Sequence, residues 1–296
     1  MANVATLVSS GTGQIKKQNQ FVAVWNRLKR NPFAMTGMVI FAVLLLMTIF
    51  APVIAPYQYD KIDVLNANLP PSLEHLCGTD HVGRDIFSRL LIGARYSLTL
   101  GFASVALGTV AGLVLGCVAG FFGGRVDEVI MRIADVFQSI PSMVLNVAIA
   151  VALGAGFWQC IVVLAVGRVT AAARMIRAQI LQIRTMEYIE AASVTNCSTF
   201  RTIVMHLLPN TFSATLVGVT MGVGGHIIAA AGLAYLGLGV QPPLPEWGTM
   251  LAEGRNYLRQ FPWMCIFPGI LIMLTVLSLN LFGDGLRDAL DPKLKK

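Results

Sequence analysis

Charged residues divide the chain into long uncharged stretches. These lie between Arg30 and Asp60, Arg95 and Arg125, Asp135 and Arg168, Arg201 and Glu246, and Arg259 and Asp284. Each is long enough for at least one membrane span, which needs about 20 apolar residues. Within the third stretch, Gly154-Ala155-Gly156 is a flexible sequence at which one helix readily ends and another begins. The pattern therefore predicts six spans.

The predicted spans are helices rather than strands. They cover residues 35–54, 97–122, 133–153, 157–173, 211–236 and 263–282. In hydrocarbon every backbone N–H and C=O must be bonded within the protein, and the strict alternation typical of barrel strands is absent. The fold class predicted is an all-α integral membrane protein with six transmembrane helices.

The basic residues predict how the chain is oriented. Most of the 22 Lys and Arg residues flank the spans on the side that carries both termini, which is the cytoplasmic side by the positive-inside rule. The predicted organisation is a cytoplasmic tail at 1–34, a first transmembrane helix at 35–54, an extracytoplasmic loop at 55–96, a core domain at 97–283 and a cytoplasmic tail at 284–296. The core includes a polar cytoplasmic segment at about 174–209.

Composition excludes several classes of function. With 55% hydrophobic and 12% charged residues, the chain belongs in a lipid bilayer in a cell membrane. The net charge of +7 follows from the basic flanks, and no Lys/Arg cluster with interleaved aromatic residues indicates a nucleic-acid partner. No G-x-x-x-x-G-K-[ST] phosphate loop is present, so any energy that the protein uses is expected to come from elsewhere. The five cysteines form no C-x-x-C pair, and we expect no metal or cofactor on this chain.

One face of the second span is rich in glycine. Gly108, Gly112, Gly116 and Gly120 recur every four residues, which allows another helix to approach closely. Tight packing is the favoured interpretation, and a pore-lining face is the alternative.

The polar segment at 174–209 is predicted to be a helix, a turn and a second helix. Residues 171–194 are rich in helix formers, Asn196 suits the turn, and Ser198 can cap the next helix. Pro209 is expected to end that helix before span five. Its apolar stripe consists of Phe200, Ile203, Val204, Leu207 and Leu208.

This segment resembles the EAA loop of ABC import permeases. The resemblance rests on Glu190-Ala191-Ala192, on Asn196 six residues after Glu190, and on Leu208-Pro209. It implies a coupling helix that inserts into a groove on an ATPase subunit, with Glu190 at its edge. The coupling residues implied are Glu190, Ala191, Ala192, Asn196, Ser198, Phe200, Arg201, Leu208 and Pro209. Asn196 stands where the pattern prefers Gly but keeps the turn chemistry, whereas His206 stands where it prefers Ile.

Further motifs are similar to C-type permease subunits of dipeptide, oligopeptide and nickel importers. They are GTDHVGRDIFSR at 78–89, GARYSL at 93–98, GGRVD at 123–127, QPP with PEWG at 241–248, and GDGLRD with LDP at 283–292. The resemblance implies the type I importer permease fold and import by alternating access. The partners implied are a second permease, two ATPase subunits that bind ATP and Mg, and an extracytoplasmic solute-binding protein. Peptides are the first choice of substrate, and nickel or a nickel chelate stays open.

Two groups of residues are further candidates, one for the outer mouth and binding-protein contact and one for the translocation pathway. At the outer mouth these are Asp80, Arg84, Asp85, Glu246 and Trp247. Asp80 with Arg84 and Asp85 with Arg89 are spaced to stabilise a short helix, so scaffolding or docking of a binding protein is favoured over substrate contact. Within the spans the candidates are Asn146, Gln159 and His226, because polar side chains facing lipid are costly.

His226 could ligate a metal or bind a peptide terminus, but a lone histidine more often bonds a neighbouring helix. Two rival functions are less consistent with the sequence. An intramembrane enzyme needs paired catalytic groups, which the spans lack, and a passive channel needs no ATPase dock.

Overall fold

A computed structural model describes residues 20–290 of the chain, except 188 and 190–196. The α-helices are α1 (Gln20–Leu28), α2 (Pro32–Ile54), α3 (Ile86–Phe122), α4 (Gly124–Ser139), α5 (Ser142–Leu153), α6 (Phe157–Arg184), α7 (Thr199–Thr202), α8 (Leu208–Tyr235), α9 (Trp247–Gly254) and α10 (Trp263–Leu290). A π-helical turn, Ile203–Leu207, joins α7 to α8, and 3-10 turns occur at Val64–Asn66 and Arg255–Tyr257. These described ranges contain no β-strand, which confirms the all-α class.

Five stretches of described helix are long and apolar enough to cross a membrane. They are α2, α3, α6, Thr199–Tyr235 and α10. The pair α4 and α5 passes the same criterion together but is bent by 93°. The third predicted span, residues 133–153, is therefore not one uninterrupted helix, because α4 ends at Ser139 and α5 begins at Ser142. The bend falls at Ile140, which is held in an extended conformation (φ −90°, ψ 129°) because the ring of Pro141 clashes with a helical residue before it.

Several helices extend beyond the predicted spans. The start of α3 is Ile86 rather than residue 97, α6 continues to Arg184, and α10 continues to Leu290. Hydropathy alone does not show these extensions because charged residues, such as Arg95, Arg174 and Asp284, interrupt the apolar runs. Local caps explain where the helices begin: the Asp85 carboxylate accepts the N–H of Ser88 at 2.7 Å and so satisfies a free donor of the first turn of α3.

The prediction that Pro209 ends a helix was also wrong, because Thr199–Tyr235 is continuous through it. Proline cannot donate a backbone hydrogen bond, and its ring clashes with the carbonyl four residues earlier. The π-helical turn relieves this conflict, since the N–H of Leu208 bonds to the O of Ile203 one residue further back than in an α-helix. The side chain of Asn210 donates to the O of His206 at 2.6 Å and supports the turn.

The centre of the bundle is the contact between α3 and α6. The glycine face of α3 lies against α6, and a Cβ added at Gly112 would be 2.7 Å from the carbonyl O of Val169. Such a contact leaves no room for a side chain. The geometry favours the packing interpretation of the glycine repeat.

Gly112→Val is expected to destabilise the protein by about 1–3 kcal/mol, because the new side chain forces α3 away from the backbone of α6. Thermal unfolding of the purified protein in detergent measures this effect. Val114→Leu is the matched control on the same helix, since Val114 is 55% exposed. Equal melting temperatures for the two variants would contradict close packing at Gly112.

The two ends of the bundle are built differently. One end, the loop face, consists of residues 55–85 and 236–262 and holds α9 and both 3-10 turns. Hydrogen bonds join parts of this face that are far apart in the sequence. For example, the indole N–H of Trp263 donates to the O of Thr79 at 3.3 Å. The other end, the opposite face, carries α1, the last turns of α3 and α6, and α7. The helices alternate between these faces, so that α1 and the end of α10 lie together, with the Arg27 guanidinium donating to the O of Ala289 at 3.4 Å.

Candidate functional site

Four charged side chains form a cluster inside the loop face. Oδ2 of Asp80 accepts Nε of Arg84 at 2.6 Å and also accepts Nη1 of Arg89. Oε2 of Glu253 accepts Nη2 of Arg89 at 2.9 Å and Nη2 of Arg84 at 3.2 Å. Asp80, Arg84 and Arg89 are buried. The cluster joins the loop before α3, the first turn of α3, and α9.

The protonation of Asp80 follows from this environment. Burial acts to raise the pKa of its carboxyl, but the guanidinium groups of Arg89 and Arg84 and the N–H groups of Arg84 and Val82 outweigh burial and lower the pKa below its ordinary value. A lowered pKa in the folded state stabilises the protein above the unfolded pKa of about 3.9. This contribution is complete at neutral pH and is lost as the pH falls below about 4.

The short helix predicted from the two acid-base pairs was wrong. The Asp80 to Arg84 pair forms, but residues 78–85 make a tight turn with an antiparallel bridge between Thr79 and Asp85. Asp85 does not pair with Arg89. Its carboxylate instead caps α3 and lies 2.9 Å from Nδ1 of His75, while Arg89 turns back towards Asp80.

Glu246 and Trp247 are buried where α9 meets α3. One oxygen of Glu246 accepts the hydroxyl of Ser97 at 2.8 Å, and the other caps α9 by accepting the N–H of Thr249 at 2.9 Å. The indole N–H of Trp247 donates to the O of Leu90 at 3.0 Å. Both side chains are at most 1% exposed.

The five candidate residues of the outer mouth are therefore all interior residues of the loop face, with exposures from 0% to 6%. They hold the loops and α9 on the bundle. Their contact with a binding protein or a substrate stays a prediction, and the burial favours the scaffolding role.

The polar candidates within the spans do not share one contact. Nδ1 of His226 on α8 is 2.8 Å from the hydroxyl of Ser104 on α3. Asn146 is buried beside Gly167, and its Oδ1 has no hydrogen-bond partner in the described part of the chain. Gln159 lies in the first turn of α6, next to Gly156. His226 thus bonds a neighbouring helix, as the simpler interpretation predicted.

Arg168 is a polar residue of the interior that the sequence analysis missed. Its Nε donates to the hydroxyl of Thr109 at 2.8 Å, and its Nη2 donates to the O of Gly218 at 2.8 Å, so it joins α6 to α3 and α8. A charged side chain at the centre of a bilayer costs about 2.5–3.5 kcal/mol on insertion scales. One feature of the sequence indicates it: Arg168 is a lone arginine directly after the uncharged stretch that ends at Gly167.

The predicted coupling residues lie only partly within the described structure. Glu190, Ala191, Ala192 and Asn196 lie outside it. The hydroxyl of Ser198 accepts the N–H of Arg201 at 3.4 Å at the start of α7, which places Ser198 at the predicted cap.

The predicted apolar stripe divides between two environments. Leu207 is fully buried in a cluster with Ile176 and Ile180 of α6, and Leu208 packs against it. Phe200 is 76% exposed, and Arg201 and Pro209 are exposed. The Leu207 side of the stripe is therefore core. Phe200 is the most exposed residue of the stripe, and Val204 is 37% exposed.

Two ion pairs that the sequence analysis missed hold α4 against α6 near this end. The guanidinium of Arg177 forms a two-nitrogen pair with the carboxylate of Asp127, and Arg174 Nη2 lies 2.7 Å from Asp135 Oδ1. The partners are far apart along the chain, so only the fold brings them together. They place α4 beside the segment that precedes the coupling residues.

The arrangement is similar to that of solved ABC importers. A chain of the inward-facing MetNI methionine ABC transporter matches with a TM-score of 0.56 and 23% identity over 70% of this chain and 98% of that chain. A chain of an amino acid ABC transporter with histidines matches with a TM-score of 0.53 and 15% identity over 69% of this chain and 95% of that one. At these identities the likeness defines the fold, which is that of an ABC importer permease.

The chain belongs to the family of binding-protein-dependent transport system inner membrane components, whose model matches residues 112–296. A second model, the N-terminal TM domain of oligopeptide transport permease C, matches residues 19–71. Within the family it is of the peptide type. It is a non-catalytic subunit, with the ATPase in separate subunits.

Relatives match along nearly the whole chain. The probable D,D-dipeptide transport system permease protein DdpC of Escherichia coli K12 is 42% identical and covers 97% of this chain and 98% of its own length. The oligopeptide transport system permease protein OppC of Bacillus subtilis is 42% identical over 91% and 88%. The glutathione transport system permease protein GsiD of Escherichia coli O6:K15:H31 is 44% identical over 92% and 90%.

Proposed function

We propose that this chain carries di- or oligopeptides across the cytoplasmic membrane as one permease of an ATP-driven importer. The observation that carries the proposal is the set of relatives, which are 42–44% identical over at least 91% of this chain and are named for dipeptide, oligopeptide and glutathione transport. All three named cargoes are peptides or peptide-like. The proposed complex has a second permease, two ATPase subunits that bind ATP and Mg, and a solute-binding protein.

The proposed mechanism is alternating access driven from the opposite face. Residues 185–198 connect α6 to the continuous helix Thr199–Tyr235, and both helices run from that face into the bundle. Long packed helices move as rigid elements, so a displacement of the connecting segment tilts both. In this proposal the ATPase closes on the segment around Glu190, while the buried charge cluster keeps the loop face intact.

The proposed orientation places the opposite face in the cytoplasm. Arg174, Arg177, Arg184 and Arg201 lie at that face, and the positive-inside rule favours arginine on the cytoplasmic side. The loop face then meets the binding protein outside.

ATP hydrolysis by the reconstituted complex tests the substrate class. The complex is assayed with its binding protein against short peptides, free nickel and chelated nickel. Stimulation by peptides alone supports the proposal. Stimulation by nickel alone contradicts it and makes His226 a ligand candidate.

Glu190→Lys tests the coupling role. We expect the variant to insert normally but to bind the ATPase more weakly, by about tenfold, or to hydrolyse ATP without transport, since a lysine reverses the charge at the edge of the dock. Co-purification of the ATPase and peptide uptake are measured together, with Glu187→Lys as the nearby control. Wild-type values of both quantities in Glu190→Lys would contradict this role.

A further inference from the structure

Arg168 lies within the membrane region. Its partner Gly218 is nineteen residues after Thr199 and seventeen before Tyr235, near the middle of the continuous helix. Its partner Thr109 is thirteen residues before the end of α3 at Phe122, which is about 20 Å. Both partners lie well inside long apolar spans, so the guanidinium lies within the membrane region rather than at its edge.

The positive charge of Arg168 is not neutralised within the described residues. No carboxylate among them lies within 4 Å of the guanidinium. Thr109 and Gly218 occupy two of its five N–H donors, and both are neutral acceptors. Nη1 has no acceptor in the described ranges, so part of the donor fork remains available.

Glycines of α8 form the wall beside Arg168. Gly222 lies directly against the guanidinium, and Met175 of α6 lies beside Gly218. Nη1, the nitrogen of Arg168 that has no acceptor in the described ranges, lies beside Gly222, where an added Cβ would be 2.4 Å away.

From this geometry we propose that Arg168 binds the C-terminal carboxylate of the peptide as it crosses the membrane. A guanidinium and a carboxylate form two parallel hydrogen bonds, which are stronger when water is excluded. This inference rests on the proposed peptide transport and adds a residue that selects for the free terminus.

The test compares one peptide with a free C-terminal carboxylate with the same peptide carrying a C-terminal amide. Uptake of each is measured in proteoliposomes of the full complex at saturating loaded binding protein. The ratio of the two rates is then compared between wild type and Arg168→Gln. Because the binding protein is the same in both complexes, its own preference cancels in this comparison.

We expect Arg168→Gln to lower the carboxylate-to-amide ratio at least tenfold, mainly by slowing the free peptide. Arg168→Lys keeps the charge but not the two-bond geometry and should lower the ratio about threefold. Arg174→Gln, the same change at an exposed position of α6, should leave it unchanged.

The possible outcomes separate the inference from the function on which it rests. If the wild-type complex transports neither peptide, the proposed function fails. If it transports peptide but Arg168→Gln keeps the wild-type ratio, the inference alone fails, and Arg168 serves as a helix contact or pairs with an acid of the second permease. If Arg168→Gln does not assemble, the ratio of Arg168→Lys decides: a threefold drop supports the inference and a wild-type ratio overturns it.

Discussion

Asp80→Asn is expected to destabilise the loop face by about 3–5 kcal/mol, the usual cost of breaking a buried ion pair by removing one partner. The asparagine is neutral and leaves Arg84 and Arg89 with only Glu253 as a carboxylate partner. Two guanidinium groups that are 6% and 1% exposed would then share one compensating charge. Thermal unfolding in detergent and hydrogen exchange of residues 55–85 measure the loss.

Asp135→Asn is the matched control for this prediction. Asp135 also pairs with an arginine, Arg174, but both side chains are about half exposed. Exposed pairs contribute about 0–1 kcal/mol, so we expect little change in stability. If Asp80→Asn were as mild as Asp135→Asn, the cluster would not be what holds the loop face together.

Phe200→Asp is expected to weaken the association of the ATPase by about 30-fold. An exposed aromatic residue that inserts into a partner's pocket and acts as a hot spot contributes at least about 2 kcal/mol to the binding free energy. Phe200 is 76% exposed and lies two residues after the cap Ser198, next to the proposed coupling segment. Titration of the detergent-solubilised permease pair with the ATPase measures the affinity.

Leu73→Asp is the control for Phe200→Asp, because Leu73 is 99% exposed but lies on the loop face. The same polar change there should leave ATPase affinity at the wild-type value. Equal affinity for Phe200→Asp and wild type would contradict docking at α7. Equal loss in both variants would show a general effect on the protein rather than a lost contact.

The helical membrane fold was predictable from the sequence because charge segregation and span length are local properties. The bend at Ile140-Pro141 had a local signal in the proline itself, but hydropathy alone does not show it. The continuous helix through Pro209 had no such signal, because the proline alone predicts a helix end there. The effect of a proline depends on the surrounding turn: Pro141 restricts the residue before it, whereas the π-helical turn before Pro209 accommodates its ring.

The candidate site shows the same division between local and long-range signals. The cap at Ser198 was predictable because its acceptor and donor are three residues apart. Glu253 was missed because it meets Arg84 and Arg89 only after α9 folds back onto the loop face. Arg168 was missed because its place in the interior depends on hydrogen bonds to Thr109 and Gly218, which come from two other helices.

Uptake of a labelled dipeptide by proteoliposomes tests the central claim most directly. The vesicles contain this chain with its second permease and both ATPase subunits, with the loaded binding protein on the loop-face side and ATP with Mg on the other. Accumulation against a gradient that requires ATP is the result expected for an importer permease. Equilibration without ATP, or no peptide movement while nickel accumulates, would contradict the account.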